Sequence, residues 1–496
     1  MALEVDIRGM LKLYNSLSRK KEVFKPRKEK KVNLFVCGPT VYDFSHLGHA
    51  RTYIVFDTIC KYLRQKGYDV FYLQNITDVD DKIIARAKEK KIFWQDLSRK
   101  FEMEYLKDMK ILNVNSVTKY ARATAHIKEI ISQVKRLLEK GFAYRLKDGI
   151  YFDISKFKDY GKLSRRTVLQ AEDAVSRIDE SLKKRNRGDF CLWKFSKKGE
   201  PKWKSPFGEG RPGWHIEDTA ITEKYFGSQY DIHGGARDLI FPHHEAEISQ
   251  MEAISGKKPL VEYWLHPGFL AVNGKKMAKS LGNFITIRDF LKKDSYRILR
   301  LFVIKTHYRS PIDYDEKAIL QTKRELERID EFVSKIKNPY KAEPSGFRQR
   351  AKIKNTNQKS KIIKNLLLKT EKEFDESMED DFNTPKAIAV IFDLVNKGNV
   401  LISHNNLTPV GARNILEFLK KIDKIFNFIF WGKIKTCLPA GREKIPTEIL
   451  NLIKEREECR KKGDFRKADE IRRKIEGLGY HIEDTKEGPK IKKYLY

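Results

Sequence analysis

The 496-residue chain carries 101 Lys+Arg against 68 Asp+Glu, a formal net charge of +33, and 40% hydrophobic residues. That length exceeds one compact core, so three or four domains are expected, and the cationic excess points to a polyanionic partner. Five scattered cysteines (Cys37, Cys60, Cys191, Cys437, Cys459) form no disulfide framework, MALEVDIRGM lacks the apolar centre of a signal peptide, and no apolar run reaches membrane-span length. Neither a secreted disulfide scaffold nor a protein with membrane-spanning helices is therefore expected, and a reducing, cytoplasmic compartment is.

In chain order, VNLFVC (32–37) is a short apolar run ending at Gly-Pro and predicts a buried strand. HARTYIVFDTICKYLRQKG then places apolar residues at helical spacing and stops at Gly67, and DVFYLQNI follows as a second strand. Strand, loop, helix, strand is a βαβ unit, which implies an α/β fold with a doubly wound parallel sheet whose ligands sit at the carboxyl ends of strands. The loop Cys37–His49 lies at such an end. Residues 148–212 read as an insertion, with a charged middle (SLKKRNRGDF) and a Gly/Pro-rich tail. Strand signals return at QYDIHGG, then the helix HHEAEISQMEAI, then strand, turn and loop through WLHPGFLAVNGKKMAKS. Beyond Asp294 the chain becomes helical and charged. KAILQTKRELERIDEFVSKI predicts a helix, 339–358 a polar linker, and helices resume over 361–394 and 409–430. IFNFIFW (425–431) reads as buried helix, and 431–446 as a second linker. A last helix is expected to turn Phe465, Ala468, Ile471, Ile475 and Leu478 to one face. The expected divisions are 1–147 and 213–293 for the two halves of a nucleotide-binding domain, 148–212 for the insertion and 294–338 for a helical junction. A helical bundle over 339–430 and a small module over 447–496 complete the chain.

Three constellations carry chemistry. His46-Leu47-Gly48-His49 opens a helix, where imidazoles three residues apart, exposed N–H groups and the positive dipole end suit a phosphate. Gly48 lets a nucleotide approach the backbone. Lys276-Met277-Ala278-Lys279-Ser280 follows Asn273-Gly274, and two lysines on a loop can neutralise a departing polyphosphate. His243 and Glu247 share one helix face at i, i+4, a spacing that suits one metal ion.

HLGH early and KMAKS late resemble the two-part signature of class I aminoacyl-tRNA synthetases. With Cys37, PGWHIE (212–217), DIHGG (231–235) and FPHHE (241–245) in this order, the chain resembles the cysteinyl-tRNA synthetase family from LKLYNSLSRKKEVFKP (11–26) to GYHIED (479–484). The resemblance implies ligation of L-cysteine to tRNA(Cys) with Mg-ATP, through a cysteinyl-adenylate. It also implies one zinc ion per chain that selects the cysteine thiolate. The implied ligands are Cys37, His243, Glu247 and the residue after Trp-His-Ile-Glu, normally Cys, here Asp218. Either Asp218 ligates, or the site has three protein ligands before substrate arrives, or it is metal-free. Thr40, Thr77 and Trp214 would meet the cysteine substrate beside Cys37. His46 and His49 would stabilise the α-phosphoryl transition state, with Lys276 and Lys279 at the pyrophosphate. Gly48, Gly235 and Asp238 would line the ATP site. The terminal module would read the anticodon, although Ile491 stands near the terminus where the family commonly has Trp. A monomer is expected. A cysteine ligase of mycothiol synthesis and a non-catalytic RNA-binding paralogue are the rival readings.

Overall fold

The computed structural model describes residues 10–166, 183–278, 281–337, 352–431, 446–478, 480–485 and 488–493. Two compact units divide near residue 430.

In the first unit a hairpin of β1 (Lys12–Asn15) and β2 (Lys20–Val23) precedes β3 (Lys31–Val36), α1 (Leu47–Gln65) and β4 (Asp69–Ile76). Helices α2 (Asp81–Lys90) and α3 (Trp94–Ile111), strand β5 (Lys119–Arg122) and helix α4 (Ile127–Glu139) follow. The insertion supplies β6 (Ala143–Arg145), β7 (Gly149–Phe152), β8 (Phe190–Phe195) and β9 (Gly210–Pro212), which form an antiparallel sheet of their own. Its aromatic residues make that sheet legible: Phe152 stacks on Phe190 at 5.0 Å, and both are buried. Residues 167–182, including the start of the charged middle, lie outside the described residues.

The main chain of the fold resumes with α5 (Ile216–Phe226), β10 (Tyr230–Gly234), α6 (His243–Ser255) and β11 (Val261–Leu265). The central sheet runs β11-β10-β3-β4-β5, parallel throughout. Strand order reverses between β3 and β10, so the crevice at the carboxyl end of β3 is a topological switch point. VNLFV is buried nearly without alternation because helices cover both faces of a parallel sheet.

Beyond the sheet, β12 (Leu270–Val272) and β13 (Lys275–Lys276) form a hairpin around Asn273-Gly274, whose φ values of 52° and 72° fit the two-residue turn that Asn-Gly favours. Helices α7 (Ile287–Leu291) and α8 (Tyr296–Ile304) and strand β14 (Ile312–Tyr314), which pairs with β12, lead into the bundle. The bundle is α9 (Glu316–Lys337), α10 (Lys352–Glu379), α11 (Thr384–Ser403) and α12 (Pro409–Phe426). The predicted linker at 339–358 is helical from Lys352 onward, and its part before that lies outside the described residues. The helix expected through IFNFIFW stops at Phe426. Asn427 adopts the left-handed conformation, and Asp423 Oδ1 accepts the Phe428 and Ile429 N–H groups, so these residues are buried as a capping turn.

Two buried carboxylates tie the bundle to the elements before it. Asp57 on α1 pairs with Arg300 at 2.8 Å, both fully buried, and Arg300 also donates to the carbonyls of Phe426 and Leu112. Asp381, between α10 and α11, accepts from the Tyr14 N–H, the Tyr308 hydroxyl and Arg309.

In the second unit, α13 (Thr447–Lys461) and α14 (Phe465–Gly477) pack together, and β15 (Tyr480–Thr485) pairs with β16 (Gly488–Lys493). Ala468, Ile471 and Ile475 are buried as predicted, but Phe465 is 64% exposed and Leu478 43%, because they lie at the ends of the helix beyond this small core. Ile491 lies opposite Ile482 in the hairpin. The linker 431–446 falls almost wholly outside the described residues.

Candidate active site and metal centre

His46 caps α1. Its Nδ1 accepts the Gly48 N–H at 3.1 Å, while His49 Nδ1 accepts the His46 N–H at 3.3 Å, a reciprocal box that stacks the two rings 3.9 Å apart. The Leu47 N–H goes to Ile285. Of the N–H groups at this helix end, those of Leu47 and Gly48 thus have acceptors within the protein, and the two imidazoles are held beside them. Desolvation in the cleft, then His46, push His49 well below its ordinary value, which favours the neutral ring.

The described residues around KMAKS, 276–278 and 283–286, come to the same place. His46 bridges Thr286 across a short antiparallel contact, and Asn283 accepts the Ala278 N–H while donating to the Lys276 carbonyl. A Cβ built on Gly48 would lie 3.7 Å from Met277 Cε. Lys276 is exposed on β13, and Lys279 lies outside the described residues.

Cys37 sits one residue past β3, 5% exposed. Its Sγ is 3.4 Å from Asp218 Oδ2 and 3.9 Å from Glu247 Oε1. His243 Nε2 is 3.0 Å from Asp218 Oδ2 and 2.9 Å from Glu247 Oε1. All four expected metal ligands thus converge, buried, from the end of β3, α5 and α6. Burial pulls His243 down, but Glu247 and Asp218 outweigh it and push it up to about 10; burial pushes Glu247 up to about 8 against the pull of His243. Burial, then Glu247 and Asp218, push the Cys37 thiol well up. These carboxylates and the thiol lack a sufficient counter-charge, and Asp218 Oδ1 is buried without a hydrogen-bond partner. An orphaned carboxylate oxygen among S, N and O donors fits a divalent ion.

The residues expected to meet the substrate lie around this cluster. Trp214 stacks on His243 at 4.4 Å. Thr40 and Thr77 face each other across a parallel bridge where the ends of β3 and β4 meet, and the Thr77 hydroxyl donates to Glu217, which is 1% exposed. Glu217 was not among the predicted site residues, although the PGWHIE motif contained it. Nor were His233 and His244, whose Nε2 atoms approach Cys37 Sγ to 3.3 and 3.2 Å. Their signal was the His in DIHGG and the second His of the FPHHE doublet.

Gly235 packs under His244: a Cβ there would lie 2.7 Å from its Cε1. Asp238 is exposed on a cavity of about 680 Å³ that Arg19, Arg166, Arg237, Phe269 and Arg309 also line. His266 borders that cavity and bonds His244 at 2.8 Å, so it stands between the cavity and the cluster.

Residues 23–324 match the family described as tRNA synthetases class I (C) catalytic domain, 373–430 the DALR domain, and 442–489 the cysteinyl-tRNA ligase anticodon binding domain. The cysteine–tRNA ligase of Methanococcus maripaludis is 46% identical, covering 98% of this chain and 99% of that one. That of Thermococcus gammatolerans is 45% identical, covering 96% and 98%. Among solved structures, Mycobacterium tuberculosis methionyl-tRNA synthetase with methionyl-adenylate superposes with a TM-score of 0.56 at 15% identity, over 80% of this chain and 90% of that one, a likeness of fold. A parallel sheet with HLGH near its switch point, a buried thiol–imidazole–carboxylate cluster and these matches along the whole chain lead to one conclusion: the chain belongs to the cysteinyl-tRNA synthetase family.

Proposed function

We propose that this protein ligates L-cysteine to tRNA(Cys) in two steps, with ATP and Mg²⁺, through a cysteinyl-adenylate. The observation that carries this reading is the buried cluster around Cys37, whose carbonyl accepts from Tyr53 on the helix that HLGH opens. The amino acid's carboxylate attacks the α-phosphorus, and the terminal adenosine of the tRNA then takes the acyl group. No side chain acts as nucleophile, so positioning and charge carry the rate. His46 and His49 face the α-phosphoryl group, and Lys276 and Lys279 follow the pyrophosphate as it leaves. Gly48, Gly235 and Asp238 line the path of ATP.

Cys37, Asp218, His243 and Glu247 would hold zinc against the amino acid. Zinc supplies a thiophilic contact that accepts the cysteine sulfur and rejects the serine hydroxyl, a discrimination that a plain pocket makes poorly. Trp214, held flat on His243, walls the side-chain pocket, and Thr40 and Thr77 bound its floor. With Asp218 in place of a cysteine, Cys37 is the one protein thiolate of the set. The chain works as a monomer in the cytoplasm; among the described residues no helix is long and apolar enough to cross a membrane. The terminal unit reads the anticodon.

Cysteine-dependent exchange of pyrophosphate into ATP, followed by charging of tRNA(Cys), tests the reading. Exchange with cysteine and none with serine is expected. Absence of exchange refutes it, and exchange without charging would point to a small-molecule cysteine ligase. Asp218→Cys should keep exchange, whereas Asp218→Ala should raise the KM for cysteine.

A further inference from the structure

Donors close on Cys37 from two sides. Asp218 and His243 stand on one side, His233 and His244 on the other, and Glu247 faces both, with Oε1 toward His243 and Oε2 3.4 Å from His233 Nε2. Within each set, Cys37–Asp218–His243–Glu247 and Cys37–His233–His244–Glu247, the ligand atoms lie within 4.8 Å of one another. We propose that, before an amino acid enters, the protein's divalent metal rests on Cys37, His233, His244 and Glu247. This resting seat shares two donors with the one that faces the substrate. The proposal depends on the reading of the cluster as a zinc centre.

Three observations support it. Zinc bonds of about 2.0–2.3 Å place tetrahedral donors roughly 3.3–3.7 Å apart. Cys37 to His233, Cys37 to His244 and His233 to Glu247 measure 3.3, 3.2 and 3.4 Å, close to that spacing. On the other side Cys37 to Asp218 also fits, at 3.4 Å, but His243 lies 3.0 Å from Asp218 and 2.9 Å from Glu247, closer than two ligands of one tetrahedral ion stand. Second, both histidines present Nε2 to the thiol with Nδ1 held from behind: His233 by the Tyr230 hydroxyl at 2.7 Å, His244 by His266 at 2.8 Å, and His266 in turn by Ser16 at 2.8 Å. Trp264 stacks on His233 at 4.3 Å and fixes its plane. Such backing is how metal-bound imidazoles are oriented. Third, Asp218 stands where the family has a thiolate, which leaves its set with one S, one N and two carboxylates. The His233–His244 set offers one S, two N and one carboxylate, the softer choice that zinc prefers. The Asp218 set is the one against Trp214 and the Thr77–Glu217 pair, where the amino acid belongs.

The experiment is X-ray absorption on full-length, zinc-loaded protein without cysteine, with zinc titrations of two variants. One sulfur and two imidazoles are expected. Asp218→Ala should keep its equivalent of zinc, and Tyr230→Phe should weaken zinc by about 10-fold or more. One imidazole with two carboxylate oxygens in the unmutated protein overturns the proposal, as does loss of zinc from Asp218→Ala while circular dichroism stays native. The spectrum of the unmutated protein decides the matter if a variant does not fold. A protein that takes up no zinc overturns this seat, and cysteine-dependent exchange on the same preparation reports separately on the ligase reading.

Discussion

Gly48→Ala should separate catalysis from stability. A Cβ at Gly48 would lie 2.8 Å from His46 Cε1 and 2.9 Å from Nδ1, whereas ordinary contact begins at 3.4 Å. To regain ordinary contact the ring must therefore move by 3.4 − 2.8 = 0.6 Å. That shift breaks its bond from the Gly48 N–H and its stacking on His49. Misplacing a catalytic group by about 1 Å costs on the order of 10²-fold, so a loss of about 10- to 100-fold in pyrophosphate exchange is expected, about 1.4–2.7 kcal/mol. Stability should hardly change. Alanine gains about 0.5–1 kcal/mol over glycine in a helix, and the lost cap costs about 1 kcal/mol. The assay is exchange at saturating cysteine beside thermal unfolding. Exchange within about threefold of the unmutated protein would refute the reasoning, because His46 would then have no fixed place in the transition state. So would a parallel loss of the fold.

Asp57→Ala should destabilise the first unit by about 3–5 kcal/mol, since it leaves Arg300 charged and buried without its partner; denaturant unfolding checks this, and a loss under about 1 kcal/mol would contradict it. Burial alone would raise the Asp57 carboxyl, but Arg300 and Lys61 outweigh it and hold it below its ordinary 3.8. Its contribution is therefore full above that value and is lost as pH falls through the lower folded value, so the unfolding profile of Asp57→Ala should be flatter in acid than that of the unmutated protein. With a net charge of +33, affinity for tRNA should fall steeply with salt, by about 10³- to 10⁵-fold between 50 and 200 mM if six to ten phosphates are contacted; a filter-binding series that stays nearly flat would show that the surplus charge does not face the nucleic acid.

The sequence by itself determined the local pieces, because each is written in neighbouring residues. The buried run VNLFV, the helical spacing of its successor and DVFYLQNI dictated the βαβ unit. Asn-Gly marked the turn ahead of the KMAKS segment, since few other pairs tolerate two positive φ angles; that Lys275–Lys276 pairs back as a strand came from the structure. Motif order identified the family and named Cys37, His243 and Glu247, and through them the odd residue Asp218. Tertiary structure alone decided what those residues face. His233 and His244 lie 196 and 207 positions from Cys37, and only the parallel sheet, by collecting strand ends at one switch point, turns them toward its sulfur. The same holds for Phe428 and Ile429, buried outside the helix they were expected to extend, and for Phe465, apolar yet left in solvent. Periodicity fixes which face of an element a side chain occupies. Which donor or apolar surface meets that face depends on chain segments hundreds of residues away.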